Sequence, residues 1–133
     1  MGIILDADVI IAGERGDLDL CAWFASHRGE NFEVAAITVA ELWHGVERAR
    51  DVHRRRREAY LELILSPLPI IPYTEQTAYE HARIWAHLVA AGTMIGYHDL
   101  IVAATALERG SRVATFNVRH FAQVPNLGLI EPS

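Results

Sequence analysis

The chain has 133 residues, 51% of them hydrophobic and 22% charged, with a formal net charge of -5. That length predicts one domain over 1–133, and the composition is that of a soluble globular protein with a proper core. All 12 basic residues are Arg, which excludes a Walker P-loop and a Schiff-base enzyme, since both need Lys, while the acidic balance argues against a generic basic nucleic-acid binder.

No apolar run reaches the roughly 20 residues of a membrane span. Asp6 and Asp8 interrupt the early apolar stretch, so no signal peptide is expected. The single cysteine, Cys21, fits a reducing cytoplasm.

In chain order, Gly2–Leu5 reads as a short buried strand ending at Asp6, with apolar Val9–Ala12 just beyond the acidic turn. Leu18–His27 has helical spacing, Phe32–Ile37 reads as a strand, and Thr38 opens a helix with an apolar stripe of Leu42, Val46 and Ala49. Asp51–Leu65 predicts a separate helix, stopped by Ser66-Pro67 and Pro69. Ile70-Ile71 is a third short strand, followed by an amphipathic helix over Glu75–Ala91 with Gly92 at its C-cap. His98–Arg109 is apolar almost all round and so predicts a buried helix, stopped by Gly110. Arg112–Thr115 and Leu127–Ile130 supply the last strands. This alternation predicts an α/β fold, a mainly parallel sheet of about five strands flanked by helices.

Four polar side chains sit at the edges of these elements: Asp6, Glu41, Asp99 and Asn117. In an open α/β sheet the carboxyl ends of strands and the starts of the next helices share one edge, where ligands bind. Carboxylates gathered there repel unless a proton or cation lies between them. Oxygen ligands without cysteine favour Mg²⁺ or Mn²⁺.

Each position also has a plainer reading. Asp6 and Asp8 suit a turn or an N-cap. Thr38-Val39-Ala40-Glu41 has the pattern of a capping box, which by itself accounts for Glu41. Asp99 complements a helix dipole, although a carboxylate at the mouth of a buried helix also needs a partner. Thr115 and Asn117 form an ordinary turn or offer a hydroxyl and an amide oxygen to a hard cation.

The seven histidines show no zinc spacing with Cys21 and read as surface or hydrogen-bonded residues. Only His98 and His120 lie near the edge and are candidates to touch substrate. Arg54, Arg55, Arg56 and Arg57 cover most of a helix circumference, so that turn projects into solvent. It is expected to be supported by an Arg54–Glu58 pair. Alternatively, with Arg48 and Arg50, it contacts phosphate or a partner.

The ordered set of motifs resembles the PIN-domain ribonucleases, specifically the VapC toxins of bacterial toxin–antitoxin pairs. The resemblance is carried by Ile4-Leu5-Asp6-Ala7-Asp8-Val9-Ile10, then Thr38-Val39-Ala40-Glu41-Leu42 with Gly45. It continues with Gly96–Ala106, Val113–Phe121 and Leu127-Gly128-Leu129, so it spans essentially the whole chain. It implies a single PIN-like domain and a Mg²⁺- or Mn²⁺-dependent endoribonuclease that acts on transfer or ribosomal RNA and leaves a 5′-phosphate and a 3′-hydroxyl. It also implies inhibition by a cognate VapB-type antitoxin and a homodimer in the cytoplasm. Asp6, Glu41 and Asp99 match the family's acidic metal site, Asn117 its fourth position, and Thr115 a hydroxyl beside it. Two residues depart from the pattern. Asp8 stands where Asn or Ser is commoner, and His120 stands where an acid is common, which implies a weaker hold on a second metal.

Two other readings have sequence support. Ile3-Ile4-Leu5-Asp6-Ala7-Asp8 imitates the nucleophile motif of haloacid-dehalogenase-type phosphatases, but the Lys those sites use is absent and Val9-Ile10 replaces the usual Gly-Thr. A PIN-fold binding module without catalysis is the second, kept open by Asn117 and His120.

Overall fold

A computed structural model describes residues 2–133. Five strands, Gly2–Leu5 (β1), Asn31–Ala35 (β2), Ile70–Ile71 (β3), Arg112–Ala114 (β4) and Leu129–Ile130 (β5), form one parallel sheet in the order β3-β2-β1-β4-β5. β1 lies at the centre, and Ile3, Ile4 and Leu5 are fully buried, as a strand covered on both faces requires. Successive side chains point to opposite faces. Ile3 and Leu5 join Val34 and Ala114 under one helical layer, whereas Ile4 joins Ala35 and Val113 under the other.

The first layer holds Ala7–Arg15 (α1), Leu20–Ser26 (α2), Asp51–Leu65 (α4) and the Leu42–Val46 stripe of Ala36–Arg48 (α3). The second holds Glu75–Ala91 (α5), Tyr97–Arg109 (α6) and the short Val118–Phe121 (α7). α6 is buried continuously from Leu100 to Ala106, and the small Ala103, Ala104 and Ala106 let it lie close to the sheet. α5 meets it along Thr77, His81, Ile84 and Leu88, the four- and three-residue spacing of one helix face.

Several boundaries differ from the sequence expectations. The chain passes from β2 into α3 without a turn, and Ala35 is the N-cap with no side-chain bond. Thr38 therefore lies inside the helix with its hydroxyl buried and unpartnered, and the expected Thr38–Glu41 capping box does not form. Such a box forms instead at Thr74 and Thr77, at the start of α5. Asp19 caps α2, so that helix starts two residues later than expected, and Val9–Ala12 is part of a helix beginning directly after Asp6. α7 had no counterpart in the expectations, because four residues are too few for a periodic pattern.

The strand order places a switch point beside β1. The chain runs outward from β1 through β2 to β3, then returns to add β4 and β5 on the other side. The carboxyl ends of β1 and β4 therefore border the crevice in which such folds bind ligands.

Away from that crevice, Glu33 on β2 is 6% exposed and takes both a bond from Arg109 Nε at 3.1 Å and one from Arg109 Nη2. This fork ties β2 to the end of α6. Arg109→Ala should cost about 1–3 kcal/mol, below the full penalty of a buried pair because the arginine is partly exposed. Urea unfolding checks this, and a loss within the roughly 0.5 kcal/mol typical of surface substitutions would contradict it.

Candidate active site

The site is built on the residue that ends β1. Asp6 is 5% exposed and caps α1, its Oδ1 accepting from Ala7 N at 2.9 Å. Its other oxygen accepts from Thr115 Oγ1 at 2.8 Å, a contact between residues that the β1–β4 pairing brings together. Thr115 follows β4, and its hydroxyl oxygen accepts in turn from Asn117 N at 2.9 Å. Asp8, in the first turn of α1, accepts from Phe116 N at 3.2 Å and lies 3.3 Å from Thr115 Oγ1.

Asp99 stands in the first turn of α6, whose N-cap, Gly96, offers no side-chain bond. Across from it, α7 presents His120, whose Nδ1 lies 3.7 Å from Asp99 Oδ2 and accepts from Asn117 Nδ2 at 2.9 Å. The imidazole thus lies between Asn117 and Asp99, but the nitrogen that accepts from Asn117 has no proton to give the Asp99 carboxylate. Glu41 enters from the second turn of α3. Its Oε1 is buried with no hydrogen-bond partner. It lines a cleft of about 90 Å³ shared with Ile10, Glu14, Gly45, Arg57 and Tyr60.

The electrostatics agree with crowding. Burial, then the charges of Asp8 and Asp99, push the Asp6 carboxyl up to about 7. Asp8 is raised mainly by its own burial, with Asp99 adding to the effect. Glu41 is raised by burial and by Asp99 and Asp8, against an opposing pull from His98. Every shift among these three favours the protonated form, so the edge resists carrying its full negative charge without a counterion. Among the described residues, no three carboxylates, imidazoles or thiols stand close enough to enclose an ion as their side chains now lie. The donor set is nonetheless suitable, with hard oxygens only, a buried Glu41 oxygen without a partner, and crowded carboxyls that a divalent cation would neutralise.

The structure therefore brings together Asp6, Asp8, Asp99, Thr115, Asn117 and His120, with Glu41 and the exposed His98 at the margin. The arginines lie further along α3 and α4. Arg54 pairs with Glu47 at 3.2 Å, not with Glu58, because α4 packs back on α3 and presents a carboxylate from the neighbouring helix. Arg57 pairs with Glu14 at 3.4 Å and donates to Gly45 O at 3.2 Å, closing the cleft beside Glu41. Arg48, Arg55 and Arg56 are exposed.

Sequence reasoning missed Phe116 N, which is a backbone donor and leaves no residue-type signal. It also missed Glu14 and Tyr60 in the cleft. The only sequence hint of Glu14 is its four-residue spacing from Ile10 on the helix that Asp6 starts.

The PIN domain family matches residues 3–127. Ribonuclease VapC1 of Rickettsia felis is 34% identical over 134 residues, covering 100% of this chain and 98% of that one. A tRNA(fMet)-specific endonuclease VapC of Salmonella typhimurium is 33% identical over 94 residues, 71% of this chain and 70% of the relative. The crystal structure of DNA-bound VapBC from Salmonella typhimurium superposes with a TM-score of 0.89 at 26% identity, over 98% of both chains. The chain belongs to the PIN-domain family and, within it, to the VapC ribonucleases, the toxin members of VapBC pairs.

The raised Asp6 carboxyl has a consequence for stability. Below about pH 4 it is protonated in both folded and unfolded chains, so the fold gains its full contribution there. Between about 4 and 7 the unfolded chain ionises first, and the folded state loses stability as pH rises through its own value. Asp6→Asn should therefore stabilise the metal-free protein at pH 8 relative to pH 5, on the order of 2 kcal/mol. The measurement is urea unfolding of both proteins in EDTA at both pH values. A difference between wild type and variant that does not change with pH would contradict the assignment.

Proposed function

We propose that this chain hydrolyses RNA phosphodiester bonds as a Mg²⁺- or Mn²⁺-dependent endoribonuclease, with Asp6, Glu41 and Asp99 as its catalytic carboxylates. The observation that carries the reading is the convergence of Asp6, Asp8 and Asp99 on the crevice between β1 and β4, where burial first and neighbouring negative charge second push the Asp6 and Asp8 carboxyls upward. That is the arrangement expected of oxygens waiting for a cation.

In this reading Asp6 and Asp99 would hold the metal, and Glu41 and Asn117 would complete its oxygen ligands. When bound, the metal supplies activated water and charge stabilisation at the scissile phosphate. The protein residues do the positioning. Thr115 fixes the Asp6 carboxylate through Oδ2, and Ala7 N fixes it through Oδ1. The Phe116 amide orients Asp8. His120, held by Asn117 and standing beside Asp99, is placed to touch substrate together with His98. The buried, unpaired Oε1 of Glu41 is free to accept a hydrogen bond from the attacking water.

Arg48, Arg55 and Arg56 are exposed and available to RNA phosphates or to an acidic partner, whereas Arg54 and Arg57 are held by Glu47 and Glu14. The name of one relative supports a transfer-RNA substrate, and the VapBC complex of another supports a cognate VapB-type antitoxin. A homodimer working in the cytoplasm completes the reading. Among the described residues, no helix is long and apolar enough to cross a membrane.

One finding counts against a phosphatase that uses Asp6 as nucleophile: the chain matches the PIN family over nearly its full length.

Purified protein should cut total cellular RNA into discrete fragments with Mg²⁺ or Mn²⁺ and not in EDTA. Asp6→Ala and Asp99→Ala should each lower cleavage at least a thousandfold with unchanged circular dichroism. Full activity of either variant at equal metal would remove the assigned site. A folded wild type that cuts no RNA with either metal would leave a binding module.

A further inference from the structure

Three residues join β4 to α7, and the outer two point their side chains at the carboxylate edge. Thr115 is fully buried and donates to Asp6, while Asn117 donates to His120. Phe116, between them, is held by its backbone, with its amide donating to Asp8 Oδ2 at 3.2 Å. The flanking amides are tied as well, Thr115 N to Ile130 O at 3.1 Å and Asn117 N to Thr115 Oγ1 at 2.9 Å. The turn therefore keeps its shape without help from the phenyl ring.

That ring is left in solvent. Phe116 is 40% exposed and joins neither cluster of the core. The other phenylalanines differ, since Phe121 is fully buried and Phe24 and Phe32 pack against Trp23. Folding gains little from a ring that stays in water. A lone exposed apolar residue is ordinary on a protein surface. This one is set apart by its place, on a fixed turn whose own amide holds Asp8.

Arg119 follows three residues later, in α7 and next to His120. It is exposed, and among the described residues no carboxylate pairs with it. Arg54, Arg57, Arg83, Arg109 and Arg112 are all paired. An aromatic face and an unpaired cation thus border an edge that is otherwise acidic.

We propose that Phe116 stacks the base beside the scissile phosphate, and that Arg119 contacts a neighbouring phosphate of the same strand. The proposal rests on the ribonuclease reading for the identity of that strand. Single-stranded nucleic acids are held by aromatic rings and cations together, because every base has a π-face and every nucleotide a phosphate. One ring accepts any base, so Phe116 selects for an unpaired strand and not for a sequence. Bases within a duplex are already stacked on one another and cannot use it. Because the turn also carries the Asp8 donor, a base seated on the ring brings its own phosphate to the carboxylates.

The test is steady-state cleavage of a single-stranded RNA by the full chain, with Mn²⁺ binding followed by electron paramagnetic resonance. Phe116→Leu keeps an apolar side chain and the amide that Asp8 uses, but removes the aromatic face. It should raise KM about tenfold and leave kcat and Mn²⁺ affinity within about twofold. Phe116→Trp should keep the wild-type KM, and Arg119→Gln should raise KM and flatten its salt dependence. With an abasic nucleotide at the stacked position, wild type and Phe116→Leu should become equal. An unchanged KM in Phe116→Leu would overturn the stacking. So would a fall in kcat or Mn²⁺ affinity, which would mark a role in shaping the turn. If the wild type cuts no RNA, binding of a single strand labelled with a fluorescent adenine analogue decides. Quenching of the label that Phe116→Leu abolishes would keep the stacking and remove the nuclease, and quenching that the variant retains would remove both.

Discussion

One buried carboxylate organises this molecule. Asp6 ends the central strand, caps α1 and is clamped by Thr115 from the neighbouring strand. Burying such a group is unfavourable, and the protein accepts that cost at the edge where its topology changes direction. The surrounding structure compensates with two direct hydrogen bonds to Asp6 and a fully packed strand behind it. The remaining imbalance is the crowding of Asp6, Asp8 and Asp99, which folding alone does not relieve.

That imbalance connects the fold with its chemistry. A parallel sheet with strand order 3-2-1-4-5 brings the ends of β1 and β4 together, and the helices that follow carry Asp8 and His120 to the same place. α6 adds Asp99 because its apolar circumference forces it deep into the core, which fixes where its first turn opens. Glu41 comes from α3, on the other side of β1, and faces a cleft closed by the Arg57–Glu14 pair. Exposed positive charge lies on α3 and α4, at Arg48, Arg55 and Arg56, so the net charge of -5 does not preclude a local surface for phosphates.

Much of this was legible in the sequence. Ile3-Ile4-Leu5 announced a buried strand because no polar residue interrupts it, and Leu100–Ala106 announced a buried helix for the same reason. The convergence of Asp6, Asp99 and Asn117 followed from their positions at element ends. Tertiary contacts were less legible. Thr38 resembled a helix cap, but β2 leads straight into α3, and that continuity depends on pairing with β1 and β3. Arg54 had a carboxylate at the right spacing in Glu58, yet Glu47 of a neighbouring helix took it. His81 read as an ordinary histidine, and only the packing of α5 on α6 shows it buried with one nitrogen unpaired.

The account turns on the claim that Asp6 and Asp99 form a cation site. Mn²⁺ titration followed by electron paramagnetic resonance, with proton release recorded at pH 7, tests it without any RNA. The account predicts saturable binding accompanied by proton release, since a carboxyl raised to about 7 must ionise to take up the ion. Both signals should be lost in Asp6→Asn and in Asp99→Asn. Mn²⁺ binding of equal strength in either variant, or none in the folded wild type, would contradict it.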